Sequence, residues 1–151
     1  MKLMFRNARP DDLKMLLSML ADDSLGKQRE LVSDAMPECY LRAFSAIQKD
    51  LNNELIVVEV TQSVVGMLQM TFIPYLTYQG SWRALIEGVR VHKNHRGQGV
   101  GKQMFDWAIQ RARERGCAIV QLTSDKRRSN ALRFYERLGF VASHEGFKLR
   151  L

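Results

Sequence analysis

Ile86-Glu87-Gly88-Val89-Arg90-Val91-His92-Lys93-Asn94-His95-Arg96-Gly97-Gln98-Gly99-Val100-Gly101-Lys102 reads as a β-strand, a basic glycine-rich turn and the first turn of a helix. Ile86 to Val91 is rich in β-branched residues and carries one carboxylate, Glu87. The glycines at 97, 99 and 101 let the backbone turn sharply and approach a ligand with no Cβ in the way. From Val100 an apolar stripe runs at helical spacing through Met104, Phe105, Ala108, Ile109 and Ala112. A helix that starts in such a turn offers free N–H groups and the positive end of its dipole, an anion site in waiting. Arg96 and Lys102 add formal positive charge on either side. The stretch reads as a cradle for a pyrophosphate.

Two familiar phosphate-binding patterns do not fit. Lys102 is followed by Gln103 rather than a hydroxyl residue, so the turn is not a P-loop. Met104 stands three residues after Gly101, so the dinucleotide fingerprint also fails. What is present is Arg96-x-x-Gly99-x-Gly101, directly after a strand ending Val89-Arg90-Val91. This resembles the acyl-CoA signature of the GNAT superfamily of N-acetyltransferases. Downstream, Ser129-Asn130-Ala131-Leu132-Arg133-Phe134-Tyr135-Glu136-Arg137-Leu138-Gly139-Phe140 resembles the second hallmark of that family, a short helix with Asn-Ala and a Phe-Tyr pair before Leu-Gly-Phe. The closing segment also bears a loose likeness to acetyltransferases of small aminoalkyl phosphonates.

The rest of the chain is read outward from there. Its 151 residues make one ordinary domain, 1–151, with 46% hydrophobic and 26% charged residues, as in a water-soluble globular protein. Leu3 to Asn7 reads as an edge-like strand, and Pro10-Asp11-Asp12 opens a helix carrying Leu13, Leu16, Leu17 and Leu20. Residues 22–36 read as a loop or broken helix, and Pro37 opens a second helix with Tyr40, Leu41, Phe44 and Ile47. Glu54–Val60 and Val64–Ile73 form a hairpin about Thr61-Gln62-Ser63. Residues 74–83 form a loop with Tyr75, Tyr78 and Trp82, facing either substrate or core, with partial core packing favoured. Ala84–Val91, the helix to Arg115 capped by Gly116, and a near-continuous apolar strand Ala118–Thr123 suited to a central position make a parallel crossover. Ser129 is read as the cap of a helix Asn130–Leu138, and Phe140–Ser143 and Phe147–Leu151 as two final strands around His144. The expected fold is α/β (α+β), a mixed central sheet of about six to seven strands flanked by helices. The family resemblance adds a splayed pair of parallel strands that binds CoA.

What the resemblance implies is an acetyl-CoA-dependent N-acetyltransferase acting on a primary amine of a small molecule or peptide by direct attack in a ternary complex. Val89 and Val91 would offer backbone groups to the pantetheine arm, with the Val89 N–H as oxyanion donor. Arg90, Arg96, Gly97, Gln98, Gly99, Val100, Gly101 and Lys102 would form the cofactor site, and Asn130 would bond the cofactor arm or serve as a helix cap. Tyr135 would face the thioester sulfur as acid and also touch the cofactor; otherwise it is a core tyrosine. Glu87 is the candidate base, directly or through water, if burial in its apolar strand raises its pKa. The alternative is a Glu87 facing solvent or pairing with Arg83 or Arg90.

The remaining chemistry-bearing residues are quieter. Cys39 and Cys117 lack metal or redox spacing and read as free, buried thiols, so an acetyl-enzyme on Cys117 is not expected. His92, His95 and His144 are not at metal-ligand spacing, so no metal is expected; His144-Glu145 either lies near substrate or decorates a surface hairpin. A net charge of +7 favours anionic partners such as CoA, while Lys126-Arg127-Arg128 is too short a basic cluster for nucleic acid. No apolar run reaches the roughly 18 residues of a membrane helix and no leader is evident at the start, so a cytoplasmic protein is expected. A homodimer would be in keeping with the family. A second reading is a non-catalytic module that binds or senses acyl-CoA.

Overall fold

The computed structural model describes residues 2–151, with the side chain of Ser129 left out. Five strands form one sheet in the order β1 (Met4–Asn7), β2 (Asn53–Val60), β3 (Ser63–Pro74), β4 (Trp82–Val91) and β5 (Cys117–Leu122). The first three pairings are antiparallel. β5 takes its place beside β4 after a helical crossover, which makes the sheet mixed. The helices are α1 (Leu13–Leu20), α2 (Ser24–Lys27), α3 (Glu38–Lys49), a single turn α4 (Thr77–Gly80), α5 (Val100–Glu114) and α6 (Ser129–Arg137). The chain divides into two compact units, one ending at Gln121 and the other running from Leu122 to Leu151.

Strand register explains which face is core. Leu68, Met70 and Phe72 of β3 stand opposite Ile56 of β2 and Ile86 and Ala84 of β4, and all are buried. The helix α5 packs on β3 and β4 and buries Val100, Met104, Phe105, Ala108 and Ala112, the stripe its 3.6-residue period predicts. Residues of opposite parity point the other way. There Val57 and Met67 meet Ala8, Leu13, Leu16, Met19 and Phe44 from the α1 and α3 side. Further along, the same face turns polar: Asn53 accepts from Gln69 Nε2 at 3.0 Å and from Thr71 Oγ1 at 2.9 Å.

Several expectations are corrected. The β2–β3 hairpin closes on two residues, Thr61 (φ 45°) and Gln62 (φ 65°), the type I′ geometry that matches strand twist. β5 is an edge strand, half-buried rather than central, with Ala118 exposed. Residues 140–151 form no strand, so the sheet has five strands instead of six or seven. Val141, Phe147 and Leu149 are 81%, 92% and 88% exposed. Alternation gave them a strand pattern, but a strand needs a partner backbone. Cys39 is exposed rather than buried, at the start of α3, whereas Cys117 is half-buried as a free thiol. No helix is long and apolar enough to cross a membrane among the described residues.

Candidate functional site

The pivot of the site is a bulge in β4. Glu87 pairs with Gln69 and Arg90 with Met67, so β4 spends one residue more than β3 over this interval. The extra residue falls at Gly88-Val89, and Gly88 has φ +60°, a conformation that costs other residues about 1–2 kcal/mol. Neither Gly88 nor Val89 has a partner in the β3 register. A bulge bends its strand and frees main-chain groups from the ladder. Beyond it, the Val89 carbonyl accepts from Arg90 Nη1 at 2.8 Å and the Val91 carbonyl from Arg96 Nε at 3.0 Å.

The glycine-rich turn follows. His92 Nδ1 accepts from the Asn94 N–H at 3.4 Å and starts a 3₁₀ turn over Lys93–His95. Gly99, at φ +79°, is the N-cap of α5 and supplies no side-chain cap. No acidic residue stands in the first turn of α5. A Cβ built on Gly99 would meet nothing within 4 Å, so the chain needs glycine there for its backbone angle rather than for lack of room. Val100 is buried and anchors the helix start, with Gly101 and Lys102 completing the turn. The Gln98 side chain donates to the Asn94 carbonyl at 2.9 Å, which braces the turn across Gly97.

Both flanking cations have carboxylate partners. Arg96 Nη2 lies 2.7 Å from Asp22 Oδ2, and Lys102 Nζ lies 2.7 Å from Asp106 Oδ2. Arg90 Nη2 stands 3.9 Å from Asp23 Oδ2. The Arg96 and Lys102 pairs are exposed, and such pairs contribute about 0–1 kcal/mol. Pairs this weak leave both cations available to an anion at the helix N-terminus. The donor set therefore fits the diphosphate of CoA: uncapped N–H groups, two exchangeable cations and a bulged strand alongside.

Glu87 stands on the polar face, opposite Gln69, and is exposed. The desolvation expected from its apolar strand is therefore missing, because alternation buries Ile86 and turns Glu87 outward. In the second unit Tyr135 is half-buried, its ring edge-on to Phe134 at 5.5 Å and Phe140 at 6.1 Å. Asn130 is exposed and is the second residue of α6, so it is not the cap. The helix begins at Ser129, one residue earlier than expected; the capping role read for the Ser129 side chain lies outside the described residues. His144 Nδ1 is 2.7 Å from Ser143 Oγ and exposed, and Lys126 pairs with Glu145 at 3.0 Å. Burial pushes the Cys117 thiol up, with Arg115 pulling weakly the other way, so the sulfur stays protonated at neutral pH.

Three features escaped the sequence reading. The bulge had a signal, a lone glycine inside a strand pattern. Asp22 and Asp23, which tie the end of α1 to Arg96 and Arg90, had none, since nothing local pairs residues more than sixty positions apart. The third is the stacking of Arg83 on Tyr75 and Tyr78, residues that the sequence singled out separately.

Comparison with known proteins gives the family. The sequence profile of the acetyltransferase (GNAT) family matches residues 22–140, most of the chain. The chain belongs to the acetyltransferase (GNAT) family. A solved structure described as a transcriptional regulator from Bacillus halodurans C-125 is similar at 58% identity and a TM-score of 0.96, covering 99% of this chain and 100% of that one. Aminoalkylphosphonate N-acetyltransferase of Salmonella typhimurium is 33% identical over 84 residues, 56% of this chain and 54% of that protein. Glucosamine 6-phosphate N-acetyltransferase of Trypanosoma brucei brucei is 34% identical over 91 residues, 60% of each chain. The chain thus matches a little over half the length of these curated relatives. Acetyl transfer of the GNAT kind is the chemistry that the family and its named relatives support.

Proposed function

We propose that this GNAT protein transfers the acetyl group of acetyl-CoA to a primary amine of a small molecule, by direct attack within a ternary complex. The observation that carries the reading is the uncapped, glycine-opened N-terminus of α5 beside the bulge of β4. The turn Arg96–Lys102 holds the diphosphate, mostly through main-chain N–H groups, and Arg90 adds charge nearby. Val89 and Val91 offer main-chain groups to the pantetheine arm, and Asn130 bonds it from α6. The Val89 N–H, freed by the bulge, is the oxyanion donor.

The reaction balances without an enzyme-bound acetyl group. An amine near pKa 10 is almost wholly protonated at neutral pH, roughly a thousandfold against reactivity. Glu87, directly or through a water, accepts that proton. The neutral nitrogen attacks the thioester carbonyl, the C–N bond forms, and the C–S bond breaks. Tyr135 hydrogen-bonds the departing thiolate, which takes up the second proton, the one the attacking nitrogen loses as it becomes an amide, and leaves as free CoA. An exposed Glu87 works as a base once substrates cover it and strip its water. Cys117, held as a thiol, takes no part.

The test is release of CoA thiol from acetyl-CoA across a panel of primary amines. Turnover is expected with some amine, a Glu87→Gln variant losing most rate at low pH and Tyr135→Phe slowing transfer while CoA affinity holds. Unchanged kinetics in both variants would remove these two roles. One observation favours a second reading, a non-catalytic CoA sensor: the 58% identical solved chain is described as a transcriptional regulator. That reading requires CoA binding with no thiol release on any amine.

A further inference from the structure

Arg83 differs from the arginines of this chain that ion pairs hold in place. Arg6, Arg96, Arg111 and Arg127 each hold a carboxylate within 3 Å. The Arg83 guanidinium lies 3.7 Å from the Tyr75 ring centroid and 4.9 Å from that of Tyr78. Its hydrogen bonds within the chain are long, 3.4 Å to Gln121 Oε1 and 3.3 Å to Thr77 Oγ1, and its buried Nε has no partner. Among the described residues no carboxylate pairs with it. A guanidinium carries five donors in a planar fork, so this one is oriented by aromatic stacking while two N–H groups of its terminal nitrogens remain to be used.

The turn that holds it is strained. Tyr78 and Gln79 both have left-handed backbones, at φ 52° and 60°, which costs about 1–2 kcal/mol for each such residue. Tyr78 is 61% exposed, so the strain there is not offset by core packing; the partial burial expected of these aromatics holds for Tyr75 and Trp82 and fails for Tyr78. Strain of this kind collects where a side chain must be held for a ligand. Arg83 and Glu87 also share a face of β4: their cross-strand partners, Ile73 and Gln69, are alternate residues of β3 on the same side. Four residues of strand set their Cα atoms about 13 Å apart.

We infer that Arg83, stacked on Tyr75 and Tyr78, is the subsite for an anionic group on the acceptor, a phosphonate, phosphate or carboxylate carried by the same molecule that presents its amine to Glu87. The inference rests on the acetyl-transfer reading and narrows it. A strand that offers a base at one end and an unclaimed guanidinium at the other selects an amine with an oxyanion a few bonds away. A bidentate phosphonate or phosphate uses the fork more fully than a neutral hydroxyl.

Paired acceptors test it. Thiol release is measured with 2-aminoethylphosphonate and β-alanine against ethanolamine, and with glucosamine 6-phosphate against glucosamine. The anionic member of at least one pair is expected to have the larger kcat/KM by about 10-fold or more, through KM. In Arg83→Met that preference collapses, while Arg83→Lys keeps part of it by charge without the fork. Unchanged CoA binding and melting temperature in Arg83→Met confirm that it folds. The phosphonate-to-carboxylate ratio separates the two kinds of anion. Equal rates for charged and neutral acceptors, or a preference that survives in Arg83→Met, overturn the subsite and leave acetyl transfer standing. Calorimetric binding of 2-aminoethylphosphonate in the presence of CoA gives a readout without turnover. Binding that is lost in Arg83→Met, with no thiol release from any amine, keeps the subsite and refutes the transfer reading; no binding and no release overturns both.

Discussion

Arg6→Met removes the centre of a three-residue ion cluster that ties β1 to the start of α1. Arg6 Nη1 and Nη2 donate to the two oxygens of Asp12 at 2.7 and 2.9 Å, and Nε donates to Glu59 Oε1 at 2.9 Å. Asp12 is only 8% exposed, and it also accepts from the Arg9 N–H at 2.6 Å. Breaking a buried pair on one side costs about 3–5 kcal/mol; with Arg6 itself 23% exposed, the low end, about 3 kcal/mol, applies. For a chain of this size that lowers Tm by about 6–12 °C. The Arg6 hydrogen bond is the main cause that holds the Asp12 carboxyl below its usual pKa, against the opposing effect of burial. A depressed carboxylate contributes stability that is present above its unfolded pKa near 4 and lost as pH falls through its folded value. In Arg6→Met the main cause of that depression is gone while burial still opposes it, so the gap between parent and variant narrows on acidification. Urea unfolding at pH 7, 5 and 3.5 reads this directly. A loss below about 1 kcal/mol at pH 7, or a gap that stays constant with pH, would refute the reasoning.

Two further expectations concern the helix and strand that frame the site. Glu54, at 12% side-chain exposure, receives Arg111 Nη2 at 2.6 Å and Arg115 Nη1 at 3.2 Å, pinning the C-terminal end of α5 to β2. Glu54→Gln is expected to lower stability by about 1–2 kcal/mol in urea unfolding while CoA affinity stays put, because the cradle is at the opposite end of α5. Gly88→Ala strains the bulge and displaces the Val89 N–H, so kcat at saturating acetyl-CoA should fall about 100-fold, the cost of one oxyanion donor. An unaltered kcat would remove Val89 from that role.

The fold was legible where local rules and global packing agree. The apolar stripe of α5, the left-handed Gly116 (φ 72°) after it and the alternating core of β2–β3 all follow from period and turn chemistry. Phe147-Lys148-Leu149-Arg150-Leu151 shows the limit of such rules. Its alternation states which way side chains would point in a strand, but nothing local supplies the partner that makes one. The glycine turn was legible because its chemistry is consecutive in sequence. Arg83 was not, since its meaning depends on aromatic neighbours held by an unusual backbone and on a register that sets it with Glu87.

The turn before α5 decides whether this chain holds CoA. Titration of the protein with CoA in a calorimeter should give saturable binding that is lost in Gly99→Glu, which places a carboxylate and a strained backbone at the N-cap, while urea stability drops by no more than about 2 kcal/mol. No binding of CoA or acetyl-CoA by the parent chain, or equal binding by the variant, would contradict it.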